Sequence, residues 1–133
     1  MVGIENLILK RNTKGHQMNI PIYRAKKIDS DKYIQGYLLG MWGEYFISWG
    51  ETNHVPNKVQ IDPTTLAIHF EDILDSEGNK IFSSLSDSGK GGDIVEYNTK
   101  KEVVKYSLGT IQTYMFRFED LIDLEVKVIG IQE

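Results

Sequence analysis

The run IPIYRAKKIDSDKYIQGYLL, residues 20–39, decides the fold. Two β-rich segments, residues 20–28 and 33–39, flank Asp29, Ser30, Asp31 and Lys32, and the Asp and Ser side chains favour a turn by bonding nearby backbone. The pattern predicts a β-hairpin. A third run follows at residues 44–49 with Tyr45, Phe46, Ile47 and Trp49, entered through Gly40 and Gly43 and left through Gly50. Residues 51–58, with Asn53, Pro56 and Asn57, read as a loop.

Further along, Asp62 can cap a helix that has Pro63 at its first position, with Leu66, Phe70, Ile73 and Leu74 at helical spacing. Leu66, Ile68 and Phe70 also alternate as a strand does, so helix and strand both stay open for residues 63–74. Residues 75–80 (DSEGNK) form a turn on either reading, because Gly78 and Asn79 tolerate positive φ. The small polar stretch SSLSDSGKGG, residues 83–92, is expected to be an exposed, mobile loop. Gly91, Gly92 and Asp93 then lead into Ile94 and Val95, with Asp93 placed to bind nearby backbone amides.

The last third is β-rich again. Ile94, Val95 and Tyr97 form one run, and Val104, Tyr106, Leu108, Tyr114, Phe116 and Phe118 stay in phase two by two, as a sheet with one buried face requires. Val126 and Val128 share one phase while Ile129 and Ile131 share the other, so a bulge near Gly130 would bury both pairs.

At 133 residues the chain has the length of one domain, and 41% hydrophobic with 26% charged residues is ordinary globular composition. No cysteine is present, which excludes a disulfide scaffold, a thiolate metal site and a cysteine nucleophile. No run approaches the roughly 20 apolar residues of a membrane span, and the first residues place their charges after the short apolar stretch, so a soluble, cytoplasmic protein with no membrane partner is expected. The net charge of −4 is uneven. Lys10, Arg11, Lys14, Arg24, Lys26, Lys27 and Lys32 outweigh Glu5, Asp29 and Asp31 in the first 32 residues, and the remainder is acidic. The alternation of Arg24 and Lys26 with Ala25 and Lys27 places these cations on the solvated side of a strand. A net acidic chain repels phosphate backbones.

Three stretches together resemble the YopX-like family of small bacteriophage and prophage proteins: YRAKKIDSDKYIQG at residues 23–36, IDPTTLAIHFEDILDSEGNKIF at 61–82, and GDIVEY at 92–97. The closing VKVIGI, residues 126–131, is similar to the family's terminal strand. The chain departs from the family pattern after Thr65, between Phe82 and Gly92, and at Ile131, where an Asn is usual. The resemblance implies a mainly β fold, with an SH3-like small β-barrel in the C-terminal half (about 59–133) and an N-terminal β-hairpin extension (about 1–58). It implies no established activity.

Catalytic and cofactor patterns fail in turn. SGKGG at residues 88–92 lacks the first glycine and the Ser or Thr of a phosphate-binding loop. His16, His54 and His69 lack partners at metal-ligand spacing, and Glu71, Asp72, Asp75 and Glu77 do not follow the 12-residue calcium pattern. Ser83, Ser84, Ser86 and Ser88 have no nucleophile elbow. No catalytic residue, metal or cofactor is therefore expected, and a hydrolase built on the turn near Asp75 ranks third among the functions. Core packing is the ordinary fate of Trp42, Tyr45, Phe46 and Trp49, and Phe46 and Trp49 differ in strand parity, so at least one of them should face the core. The binding candidates are Arg24, Lys26, Lys27, Trp42 and Trp49. The leading expectation is a non-enzymatic interaction module whose partner is a host or phage protein, or a second copy. The alternative is nucleic-acid binding through the basic segment.

Overall fold

Two antiparallel hairpins in succession start the fold. The structure, a computed structural model, describes residues 20–107, 110–113 and 125–133. Lys10, Arg11, Lys14 and His16, and the phased Leu108, Tyr114, Phe116 and Phe118, lie outside the described residues. Strand β1 (Ile22–Lys26) pairs with β2 (Tyr33–Met41), with Tyr23 opposite Gly36 and Arg24 opposite Gln35. The expected turn joins them: Lys27 N–H donates to the Lys32 carbonyl at 2.9 Å, and Ser30 Oγ accepts from Lys32 N–H at 3.2 Å. Gly36 is required where it stands, since a Cβ there would lie 2.3 Å from the Ser48 carbonyl oxygen.

Strand β3 (Glu44–Thr52) turns back along β2, and β4 (Val55–Gln60) pairs with β3. The loop expected at residues 51–58 is thus a second hairpin. Asn53 and His54 both take positive φ, 53° and 66°, as a tight two-residue turn demands. Pro56, which argued against a strand, is accommodated because β4 lies at the sheet edge.

Residues 63–74 combine features of both open readings. Asp62 caps a single 3₁₀ turn (Pro63–Thr65), its carboxylate accepting from Thr64 N–H, and β5 (Ala67–His69) follows. The remaining strands are β6 (Ser83–Ser84), β7 (Asp93–Tyr97), β8 (Lys100–Val103), β9 (Lys105–Ser107), β10 (Thr110–Gln112) and β11 (Lys127–Ile131). They form an eight-stranded sheet in the order β10-β9-β6-β5-β1-β2-β3-β4 and a three-stranded sheet in the order β11-β7-β8. The fold is mainly β, and among the described residues its sheets are not closed into a barrel. An isolated bridge between Lys27 and Ile61 nevertheless curls the chain after β4 back to the end of β1.

Each sheet has its own core. Ala25, Ile47 and Ile61 are buried together, with Tyr23, Ile34, Leu38 and Leu66 packed against them. Ile81, Val95, Tyr97, Val104 and Val126 form the second core. The predicted bulge falls between Val128 and Gly130, but it leaves Ile129 exposed rather than buried.

Residues 83–92 do not form the exposed loop their composition suggests. Ser83, Ser84, Gly89, Gly91 and Gly92 are buried. Serine side chains bond backbone two residues on: Ser84 Oγ accepts from Ser86 N–H at 3.0 Å, Ser86 Oγ from Ser88 N–H and Ser88 Oγ from Lys90 N–H, each at 3.3 Å. The polarity satisfies local backbone instead of water. Gly91, at φ +85°, packs so closely that a Cβ would lie 1.9 Å from the Thr65 carbonyl oxygen.

Candidate functional site

Strand parity places the first cation of the site. Ala25 lies opposite Ile34, and both belong to the first core, so Arg24, Lys26, Tyr33 and Gln35 point to the other face of the sheet. That face was expected to meet solvent. Instead Asp93, at the start of β7, approaches it, and Arg24 is only 7% exposed while Asp93 is 1% exposed. The solvated-strand reading of Arg24 is thereby corrected: a second sheet edge covers the polar face, and alternation alone does not reveal that cover.

Arg24 Nη2 lies 2.9 Å from Asp93 Oδ1 and donates to the Gly91 carbonyl at 2.8 Å. Asp93 Oδ2 accepts from Phe82 N–H at 2.8 Å, the amide contact expected of this residue. The guanidinium also sits 4.5 Å from the Phe82 ring centroid and 5.6 Å from that of Tyr33, within cation–π range. Burial pushes the Asp93 carboxyl above its ordinary value, and the opposing pull of Arg24 and the Phe82 amide does not cancel it. Beside the pair is an open-sided cavity of about 580 Å3, lined among others by Gln35, Lys80, Val128 and Ile131.

The other candidates are dispersed. Lys26 Nζ reaches Glu133 Oε1 at 3.2 Å, and this hydrogen bond holds the ammonium above its usual pKa. Lys27 is half-buried, next to its bridge with Ile61. Trp42 occupies the β2–β3 turn at φ 51° with 93% of its surface exposed. Trp49 sits at a register shift in β3 and is 55% exposed. Neither tryptophan packs in a core, contrary to the ordinary fate of such residues. Ile47 supplies the core contact from β3, and Phe46 is half-buried with Lys58 Nζ 5.5 Å from its ring. Tyr37, Tyr45 and Val55 are also exposed.

The acidic turn has a structural occupation. Asp75 Oδ1 accepts from Glu77 N–H at 2.9 Å and Asn79 N–H at 2.8 Å, while Oδ2 accepts from Val128 N–H at 3.0 Å and Asn79 Nδ2 at 3.1 Å. Burial opposes ionisation, but these bonds outweigh it and hold the carboxyl below its ordinary value. The carboxylate staples residues 75–79 to β11. His69, buried beside Phe82, donates from Nδ1 to the Ile81 carbonyl at 3.1 Å, and burial lowers its pKa. Among the described residues no group of three or more His, Asp or Glu side chains is placed to hold a metal ion.

The sequence reading missed the Arg24–Asp93 pair, although each partner carried a local signal: an arginine in strand alternation and an aspartate after Gly91 and Gly92. No family model, no curated protein and no solved structure matches the chain.

Proposed function

We propose that the chain is a non-enzymatic protein-interaction module, an accessory protein of a bacteriophage or prophage, and that the β2–β3 hairpin meets its partner. Trp42 carries this reading. A non-glycine residue in the left-handed region costs about 1–2 kcal/mol, and full exposure of an indole gives the fold no packing in return. Strain and an unburied aromatic at one hairpin tip are what a docking residue shows before its partner arrives. Trp49 and Tyr45 on β3 and Tyr37 on β2 are exposed on the same hairpin, with Tyr37 on the face opposite Tyr45. The phage setting is supported by the order of the YopX-like motifs, and an SH3-like barrel over residues 59–133 belongs to the same proposal. A cytoplasmic location does too, in keeping with a chain free of cysteine.

Nucleic-acid binding by the basic segment is the weaker reading, because Arg24 is spent on Asp93 and Lys26 on Glu133. The test is a tagged pull-down from host cells carrying the mobile element, comparing the native chain with Trp42→Ala. A near-stoichiometric host or phage protein that is lost with Trp42→Ala supports the hairpin. Equal capture by both chains overturns it, and nucleic-acid absorbance surviving moderate salt replaces it with the alternative.

A further inference from the structure

We propose that the cavity beside β11 seats an extended, acid-bearing peptide of a partner protein, which adds a fourth strand to the three-stranded sheet. This rests on the protein-interaction reading but uses a surface other than the Trp42 hairpin.

The backbone of β11 makes the first argument. β11 pairs with β7 on one side only. Ile131 stands opposite Asp93, but Asp93 N–H donates to the Phe82 carbonyl and its carbonyl accepts from Val104 N–H, both at 2.9 Å. Asp93 therefore exchanges no backbone bond with Ile131, and the Ile131 N–H and C=O point to the outer edge. The outward N–H of Val128 is already taken by Asp75 Oδ2. Among the described residues, one end of the edge is closed by a carboxylate and the other is open.

Comparison with the other edges sharpens the point. Among the described residues β4 is guarded by Pro56 and Lys58, and β8 by Lys100, Lys101 and Glu102, the devices that keep sheet edges from pairing, whereas the edge strand β10 (Thr110–Gln112) carries neither proline nor charge. Ile129, Gly130 and Ile131 carry neither proline nor charge. Of the two unguarded edges among the described residues, β11 and not β10 borders the cavity, whose lining includes Val128, Gly130 and Ile131.

The lining defines the occupant. A volume of about 580 Å3 is of ligand-site size. Its apolar side chains are Phe82, Val128 and Ile131, and Arg24 and Lys80 outnumber Asp93 in charge. An open edge asks for main chain at strand spacing, which sends alternate side chains into the cavity, and the positive balance favours a carboxylate among them.

The test selects a displayed library of random dodecapeptides on the full chain and measures a synthesised winner by fluorescence polarisation and amide hydrogen exchange. The expected winners alternate apolar residues, include an acid, and slow exchange at the Ile131 amide. Ile131→Pro deletes the outward donor where an edge strand tolerates proline, and should weaken binding by about tenfold, as loss of one hydrogen bond does. Lys80→Glu, at an exposed position, should weaken it as well and decides the matter together with exchange if Ile131→Pro fails to fold. Trp42→Ala should leave this binding intact. No enrichment, an unprotected Ile131 amide, or full affinity in Lys80→Glu overturns the proposal. Winners lost only with Trp42→Ala overturn it while supporting the hairpin reading.

Discussion

Arg24 on β1 and Asp93 on β7 stand 2.9 Å apart and join the two sheets through a buried ion pair. The guanidinium also holds the Gly91 carbonyl, and the carboxylate holds the Phe82 amide. One pair thus ties β1, the Gly91 turn and the residue leading into β6. Removing one partner strands the other charge away from water, which typically costs about 3–5 kcal/mol. Asp93→Ala should lower the unfolding free energy by that much, and Arg24→Met with Asp93→Leu should cost markedly less than the single change. A single variant as stable as the native chain in urea titration would show that the pair does not hold the sheets.

The two glycine turns allow a clean comparison. Gly43 has φ +80° with nothing near a Cβ, whereas Gly91 has φ +85° and faces the Thr65 carbonyl. Gly43→Ala should cost only the conformational term of about 1–2 kcal/mol. Gly91→Ala must add backbone displacement to it, so its thermal midpoint should fall well below that of Gly43→Ala. Equal midpoints would contradict the close approach of residue 91 to residue 65.

Trp42 should reveal a trade of stability for binding. Asparagine suits a left-handed turn position better than tryptophan, so Trp42→Asn should stabilise the chain by about 0.5–1 kcal/mol. The same change should abolish capture of the partner. Loss of stability on making it would mean that the indole packs in solution.

Acid should act in two steps. His69 is held neutral, with a pKa lowered by burial, so its contribution is complete above the ordinary imidazole value of about 6.5 and is lost as pH falls through the depressed value. Asp75, whose pKa is lowered by its hydrogen bonds against the effect of burial, contributes above about 3.9 and loses that contribution below it. Asp93 acts with the opposite sign, because its raised pKa makes the folded chain take up a proton first as pH falls. Stability measured against pH should therefore lose its upper step in His69→Phe and its lower step in Asp75→Asn. Retention of both steps in the two variants would assign the acid sensitivity to other groups.

Much of the local structure was legible because short-range chemistry settles it. Asp29, Ser30 and Asp31 set the first hairpin, Gly78 the 75–80 turn, and the phase change after Val128 the bulge, whereas Asp62 and Pro63 left helix and strand open where the structure has a single 3₁₀ turn followed by a short strand. The β4 hairpin was hidden because a proline reads as a breaker until the strand is known to lie at an edge. The serines of residues 83–92 were misread for a similar reason: a hydroxyl that bonds backbone two residues away has the composition of one that bonds water. Trp42, Tyr45 and Trp49 stayed ambiguous because parity assigns a face to a side chain without saying whether that face is covered.

Alternating residues and turn formers along the chain by themselves determined that it is mainly β and where β1, β2, β3, β7 and β11 run. Only the tertiary structure decided that β5 lies beside β1, that β7 and β11 form a separate sheet, and that Arg24 is buried against Asp93 instead of facing water. Strand alternation is a property of neighbours in sequence, whereas the burial of one face is fixed by which distant strand packs across it, and 69 residues separate Arg24 from its counterion.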